Sequence, residues 1–517
     1  MNRAETAWWE TRTFVVAAIL LSMVPLLVPA IPPLTDLPGH MGRYRVMLGT
    51  DAATLSQWYE FHWGIAGNLG VDLLVAGLAP LLGLEIAVKL VILAIAGLTA
   101  SGIMWISREA HGRIQPWVLF ALPLVFNYSF LFGFVNHALS MALALNAFAF
   151  WLRLGRQNRI WLRAALFVPL SALIWLAHVV GWGVLGILAF GAELARARRQ
   201  GRSWPATPVA AGVACLPLAL PMVLLLVWRS GEGAGATGRF FEVRLKLGFL
   251  AMALRDRWAP FDIASVALIA IILYRAVRDR RVEHAPPIAA AALLLLAAFA
   301  LLPFILFGSA FADMRIAPFM LILALLTFRT GEAFPARERA TLALIGLAFF
   351  AARTAGTTIG FWMVDREWNR HLQALDHIPR GARLVTFVGS RCIDTWAHPR
   401  ESHLSALALV RRSAFSNDQW LLAGSTPITV IAPGLGKYAT DPSQLVLLEP
   451  CPIPSDFMTM NDALAGLPRD RFDYVWLINP PAHDPRLTAG MQALWRNETD
   501  ILYRIDNRRL SEARATH

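Results

Sequence analysis

The chain has 517 residues, 56% of them hydrophobic and only 16% charged. A soluble domain is typically about 25% charged, so a wholly soluble protein is excluded. The net charge of +12 comes from 47 basic and 35 acidic residues. The arginines lie mainly in short segments between apolar runs, as the positive-inside rule produces, so nothing here implies a nucleic-acid partner.

The first apolar run, 13–31, follows Arg3 and Arg12, which places the chain start in the cytoplasm and the run as an outgoing span. A cleaved signal peptide is the alternative for this run. The many later spans need no separate export signal, which favours a retained helix. Directly after it comes Pro32-Pro33-Leu34-Thr35-Asp36-Leu37-Pro38-Gly39-His40, with Arg43 and Arg45 close behind. Ionisable groups at a membrane boundary are costly to hold, so they point to function.

The stretch 67–106 is long enough for two crossings, with Pro80 and then 83–85 as a break. Two crossings would put Arg108 and Arg113 outside and invert every later basic loop. One crossing, 86–106, puts them inside. The segment 69–84 is therefore expected to lie at the outer surface, within a long first outer loop, 32–85. Spans 117–132 and 135–152 follow, then Arg153, Arg156, Arg159 and Arg163 inside. Spans 162–178 and 180–195 precede Arg196, Arg198, Arg199 and Arg202. Spans 207–228, 260–275, 288–307, 315–328 and 341–361 complete eleven, with basic clusters at 278–281 and 329–339 inside.

One outer loop, 229–257, runs against the rule. It holds Arg229, Arg239, Arg244, Lys246, Arg255 and Arg257. An interfacial segment that meets lipid phosphates would account for it.

Residues 365–517 form the sizeable polar region. Candidate strands at 383–388, 428–431, 474–478 and 501–504 alternate with helical patterns at 401–412 and 486–496, which suggests a small α/β domain. Gly434-Leu435-Gly436-Lys437 has the wrong spacing for a phosphate-binding loop. Of the three cysteines, Cys215 sits in an apolar run, whereas Cys392 and Cys451 both fall in the polar region. Outside the cytoplasm those two could pair, although spacing does not show proximity.

The polar residues at the outer span ends form a biased set. Asp36, His40, Arg43 and Arg45 follow the first span, and His62 and Asp72 lie later in its loop. Asn127, Tyr128, Asn136 and His137 flank the turn between the third and fourth spans. His178 ends the fifth, Arg255, Asp256 and Arg257 precede the eighth, and Asp313 and Arg315 open the tenth. The cytoplasmic ends carry arginines without such a mixture. A site on the outer face, roofed by the C-terminal region, uses these groups most simply. Each residue alone has a structural alternative: a helix stop for Asp36, hydrogen-bonded packing for His137 and His178, a plain ion pair for Asp313 with Arg315. No spacing matches a metal-site motif.

A first span, a long outer loop opening on an acidic residue, about ten more spans and an outer α/β domain together resemble the GT-C superfamily of membrane glycosyltransferases. The resemblance covers the whole architecture, with thin motif content. It implies a polyprenyl-phosphate-linked sugar donor, a lipid, glycan or protein acceptor, and Asp36 as the carboxylate early in the first outer loop. Leu37 follows Asp36, so the Asp-Glu pair of the protein O-mannosyltransferases is absent, as is the Trp-Trp-Asp signature of oligosaccharyltransferases. No cofactor is implied with certainty, and a divalent cation is compatible with the family. The expected setting is a bacterial inner membrane, with a transmembrane catalytic module at 1–364 and a periplasmic α/β domain at 365–517.

The residue chemistry agrees with that picture. Sugar transfer passes through an oxocarbenium-like state, an acceptor hydroxyl needs a base such as Asp36, and the leaving phosphate suits arginine. Arg315, Arg255 or Arg43 are candidates for it, with Asp313 orienting Arg315. His40, Asn136, His137 and His178 are expected to contact donor or acceptor. One alternative is a transporter or flippase of a lipid-linked saccharide, which would want polar groups near the bilayer midplane and often internal repeats. Another is an O-antigen ligase or polymerase. Polar side chains clustered at the outer surface favour a transferase, and at the midplane, transport.

Overall fold

The computed structural model describes residues 6–229, 237–306, 308–392, 395–421, 426–451 and 456–506. Arg3, the Arg229 side chain and residues 230–236 of the basic outer loop lie outside the described residues.

The chain is a polytopic helical membrane protein with a C-terminal α/β domain. Six helices are long and apolar enough to cross a bilayer: Leu84–His111, Val135–Arg156, Ile160–Ala177, Val179–Arg199, Ala259–Arg278 and the helix that starts at Ala336. A seventh forms if Ala206–Leu218 and Leu220–Leu226, bent by 67°, count as one. The four other expected spans overlap shorter apolar helices at Arg12–Leu21, Val118–Phe132, Pro286–Leu301 and Ala317–Thr327. Gly70–Leu82 has 13 residues, about 20 Å of helix against a hydrocarbon core of about 30 Å. Its Asp72 points inward at 0% exposure while Leu73, Leu74 and Leu81 face outward.

Basic residues gather at one end of these helices. Arg153 and Arg156 close Val135–Arg156, Arg196, Arg198 and Arg199 close Val179–Arg199, and Arg275 and Arg278 close Ala259–Arg278. The last helix, Ala336–His371, runs the opposite way, with Arg337 and Arg339 at its start. Its 36 residues rise about 54 Å, more than a bilayer core needs. It passes through 364–365 without a break and ends inside the C-terminal domain, where His371 Nδ1 meets Asp500 at 2.8 Å.

That domain is built on a six-stranded mixed sheet in the order Met458–Thr459, Leu445–Leu447, Leu384–Ser390, Tyr474–Ile478, Asp500–Ile505, Met491–Arg496. The first four are parallel neighbours and the last two add antiparallel. Val385, Phe387, Val446, Val475 and Leu477 fill the core beneath. Two expectations need correcting. The pattern at 486–496 is a strand, not a helix, over Met491–Arg496: Gly490 at φ 80° breaks the chain before it, and the Asn497 side chain accepts from Thr499 and Asp500 N–H to close a hairpin. The strand at Ile428–Val430 is real but leaves the domain sheet, pairing antiparallel with Tyr59–Phe61 of the first loop. The domain is thereby sewn to the membrane module.

The basic loop also finds a different explanation from lipid phosphates. Lys246 Nζ donates to Phe299 O, Leu302 O and Asp313 Oδ2, at 2.6 to 3.0 Å. Arg255 donates to Tyr128 Oη and to the Thr395 and Trp396 carbonyls, and Arg239 pairs with Glu242. Three of the loop's six basic residues thus have internal partners, while Arg257 lines the cavity beneath the α/β domain.

Candidate active site at the outer helix ends

A cavity of about 1350 Å³ opens between the helix ends remote from the arginine clusters and the underside of the α/β domain. Asp36, His40, Arg43, Asn136, His137, His178 and Arg315 all line it, and the domain adds Glu401, His403, Trp420 and Asp441. Among the expected site residues, Arg255 and Asp313 are not part of its wall.

Asp36 stands where the chain turns from the first span into the helix Leu37–Met47. Its N–H donates to Phe132 O at 3.0 Å, and its carbonyl accepts from His40 N–H at 3.1 Å. The backbone is therefore fixed while the carboxylate is left to the cavity. Gly133 makes this approach feasible. It sits at φ 102°, and a Cβ there would come within 2.7 Å of the Asp36 nitrogen. Burial pushes the Asp36 carboxyl up to about 7, with Asp441 adding to the rise and His403 and Arg315 opposing it.

Arg315 is the cation on the bundle side. It donates to Ser309 Oγ at 3.0 Å and lies over the Phe134 ring at 4.4 Å. Its Nε is buried without a hydrogen-bond partner, and no ion pair to it occurs among the described residues. The expectation that Asp313 orients it fails, because Asp313 is taken by Lys246 at 3.0 Å. His137 is 2% exposed, with neither ring nitrogen hydrogen-bonded. Its ring packs edge-on against His178 at 5.5 Å, and His178 Nδ1 caps the helix Val179–Arg199 by accepting from Val180 N–H. Buried polar groups normally find partners, so an unpaired imidazole on a cavity wall marks a ligand-facing surface.

Two expected binding residues prove to be internal braces. Arg43 donates Nε and Nη2 to the two Asp72 oxygens, both at 3.0 Å. Asn136 donates to Asp72 Oδ2 and to Asn68 O while accepting from Val71 N–H. Arg43 is 2% exposed, and its charge is paired with Asp72; the pair holds the helix Gly70–Leu82 against Leu37–Met47, and Asn136 ties both to Val135–Arg156. Arg255 likewise ties 395–396 of the domain to Tyr128 of the bundle. Beside it Asp256 pairs with Arg400 at 2.7 Å, and Asp262 accepts from Arg353 and Trp396.

The roof residues were not among the expected site residues. His403 lies 3.8 Å from Asp418 and 4.0 Å from Asp441, and its ring contacts Trp420 at 4.3 Å. Trp420 in turn meets His40 at 5.1 Å. Arg257, which precedes the helix Ala259–Arg278, also lines the cavity. The polar run 400–405 was a sequence signal for the roof, but nothing local tied it to a loop more than 350 residues upstream. Among the described residues, no group of three or more His, Cys, Asp or Glu side chains is placed to hold a metal ion. Cys392 and Cys451 are joined in a disulfide, and Cys392 borders the cavity.

Two properties define the class: a multi-pass helical membrane protein, and one carboxylate-and-arginine cavity beneath an α/β domain. No family model matches the chain, and no curated protein matches it. Among solved structures it is similar to the crystal structure of ArnT from Cupriavidus metallidurans bound to undecaprenyl phosphate. The identity is 14%, the TM-score 0.48, and the alignment covers 96% of this chain and 98% of that one.

Proposed function

We propose that the chain is a GT-C-type membrane glycosyltransferase that moves a sugar from a polyprenyl-phosphate donor to an acceptor hydroxyl, with Asp36 as the base. The observation that carries this is the convergence of Asp36, Arg315 and the unpaired His137 on one cavity at the membrane boundary. A carboxylate raised to about 7 suits a general base near neutral pH. As the acceptor oxygen attacks the anomeric carbon, its proton passes to Asp36. The bond from that carbon to the phosphate oxygen breaks, and the electron pair leaves with the lipid phosphate. Arg315 balances the growing negative charge, with Arg257 on the same wall. A single displacement inverts the anomeric carbon.

The site faces the periplasm in this proposal, with the membrane module at 1–364 and the outer domain at 365–517. Three observations support that orientation. The cavity lies at the helix ends opposite the arginine clusters, the positive-inside rule puts those clusters in the cytoplasm, and a disulfide suits an oxidising compartment. The transporter alternative is less well served, since the cavity-lining polar groups sit in first turns and caps rather than at mid-helix. The test is a membrane assay with radiolabelled polyprenyl-phosphate sugars. Asp36→Asn should lower transfer by about 10²–10⁴-fold with expression and folding intact. Full activity in that variant removes Asp36 from the mechanism, and no transfer by wild type with any donor puts the transporter ahead.

A further inference from the structure

The roof holds a charge cluster that the proposed reaction does not use. His403 is 5% exposed, it lines the cavity, and its Nδ1 has no hydrogen-bond partner. Its two nitrogens face different carboxylates, Asp418 at 3.8 Å and Asp441 at 4.0 Å. Asp418 is 0% exposed, with Oδ2 also unpartnered, while Oδ1 accepts from Ser416 Oγ and Gln419 Nε2. A carboxylate on each side of a buried imidazole, Asp418 buried and Asp441 partly so, favours the protonated ring.

This ring is pressed onto the helix that Asp36 begins. A Cβ on Gly39 would lie 3.3 Å from His403 Nδ1 and 2.6 Å from the Trp420 ring. Gln419 Nε2 donates to Gly39 O at 3.2 Å. A Cβ on Gly42 would lie 2.7 Å from the Gln419 nitrogen. The two glycines thus let residues 403 and 419–420 settle on the first two turns of Leu37–Met47, three and six residues from the carboxylate.

We propose that His403 is a positioning residue for Asp36: its positively charged ring, held between Asp418 and Asp441, faces the carboxylate across the cavity and keeps it in its proton-accepting form. The proposal rests on the reading of Asp36 as the base. Desolvation alone would leave Asp36 protonated. The groups facing it are His403 and Asp441 from the domain and Arg315 from the bundle. Those facing His403 are Asp418, Asp441, Asp36 and His40. Burial works against the charge on His403, yet the three carboxylates outweigh it and raise the ring to about 9. Of the two cations that oppose the burial of Asp36, His403 comes from the domain and Arg315 from the bundle.

Dicyclohexylcarbodiimide, which modifies protonated carboxyls, reads the charge of Asp36 without any sugar donor. Full-length protein in detergent is labelled across pH 5–10, and the modified Asp36 peptide is quantified by mass spectrometry. The wild-type midpoint is expected near 7. In His403→Gln it should rise by about one pH unit, a tenfold change in proton affinity, and His403→Lys should restore it. Asp441→Asn should move it down instead, and serves if a His403 variant fails to fold. An unmoved midpoint in these variants, or shifts of one sign in His403→Gln and Asp441→Asn, overturns the proposal. In the transfer assay, His403→Gln should lose about tenfold at pH 6–7 and converge on wild type above about pH 9, where the wild-type ring is itself neutral. A loss equal at every pH denotes a structural role and also overturns it. Labelling shifts as expected with no transfer by wild type would leave the coupling intact and sink the transferase reading alone.

Discussion

At the residue scale, the site depends on a few side chains left unsatisfied while their neighbours are fully bonded. Asp36 and Arg315 face the cavity, whereas Arg43, Asn136, Arg255 and Asp313 are consumed by Asp72, Tyr128 and Lys246. The proposed base acts only without its proton, so kcat/KM should rise with pH through about 7 and then level off. The stability linkage has the opposite sense. The folded carboxyl holds its proton more tightly than the unfolded one, so its contribution to stability is full at low pH and lost as pH rises through about 7. For His403 the contribution is full below about 6.5 and lost as pH rises through about 9. A kcat/KM profile with no inflection between pH 6 and 8 would contradict the first expectation. Replacing Arg315 separates charge from shape. Arg315→Gln should lower kcat/KM on the order of 10²-fold, and Arg315→Lys should recover part of it, since lysine supplies the charge but not the two-pronged donor.

At the scale of elements, close approaches at glycine set the geometry. Gly133 ends the short helix Tyr128–Phe132 in a left-handed conformation directly against Asp36. Gly133→Ala should cost about 2 kcal/mol or more, from the unfavourable φ and the contact with the Asp36 backbone. It should also lower kcat by displacing the carboxylate; thermal unfolding in detergent and steady-state rates check the two effects. The places of the helices were legible from apolar run lengths and Arg positions, because each run carries its signal locally, but their breaks were not. The run 13–31 is a helix only over Arg12–Leu21 before a short second turn, and 207–228 bends by 67°. The strands were less so. Leu445–Leu447 and Met458–Thr459 are only three and two residues long, too short to stand out by alternation. Met491–Arg496 reads as helical until its hairpin partner is present.

At the scale of the whole molecule, the domain acts as a lid built into the bundle. It is anchored by the helix Ala336–His371, the pairing of Tyr59–Phe61 with Ile428–Val430, the hydrogen bonds from Arg255 to the Thr395 and Trp396 carbonyls, and the Asp256–Arg400 ion pair. The proposed orientation is open to direct test. A cysteine at the exposed position His62 should react with membrane-impermeant maleimide in intact cells. One at Arg198 should react only after permeabilisation. The reverse pattern would put the cavity in the cytoplasm and end the periplasmic assignment.

Composition alone determined that this is a many-helix membrane protein, because burying or lipid-exposing apolar runs is a local property of each run. The same holds for Asp36 as the suspicious residue, since a carboxylate beside a span is conspicuous without any partner. Which arginine is engaged and which is left facing the cavity was decided only by the tertiary structure. Arg43 and Arg315 look alike in the chain; Asp72 claims one and Lys246 takes the other's expected partner. Ion pairing depends on distance in space between groups far apart in the chain, and on burial that only the packed molecule provides. For the same reason His403 and Asp441 joined Asp36 only once the chain had folded.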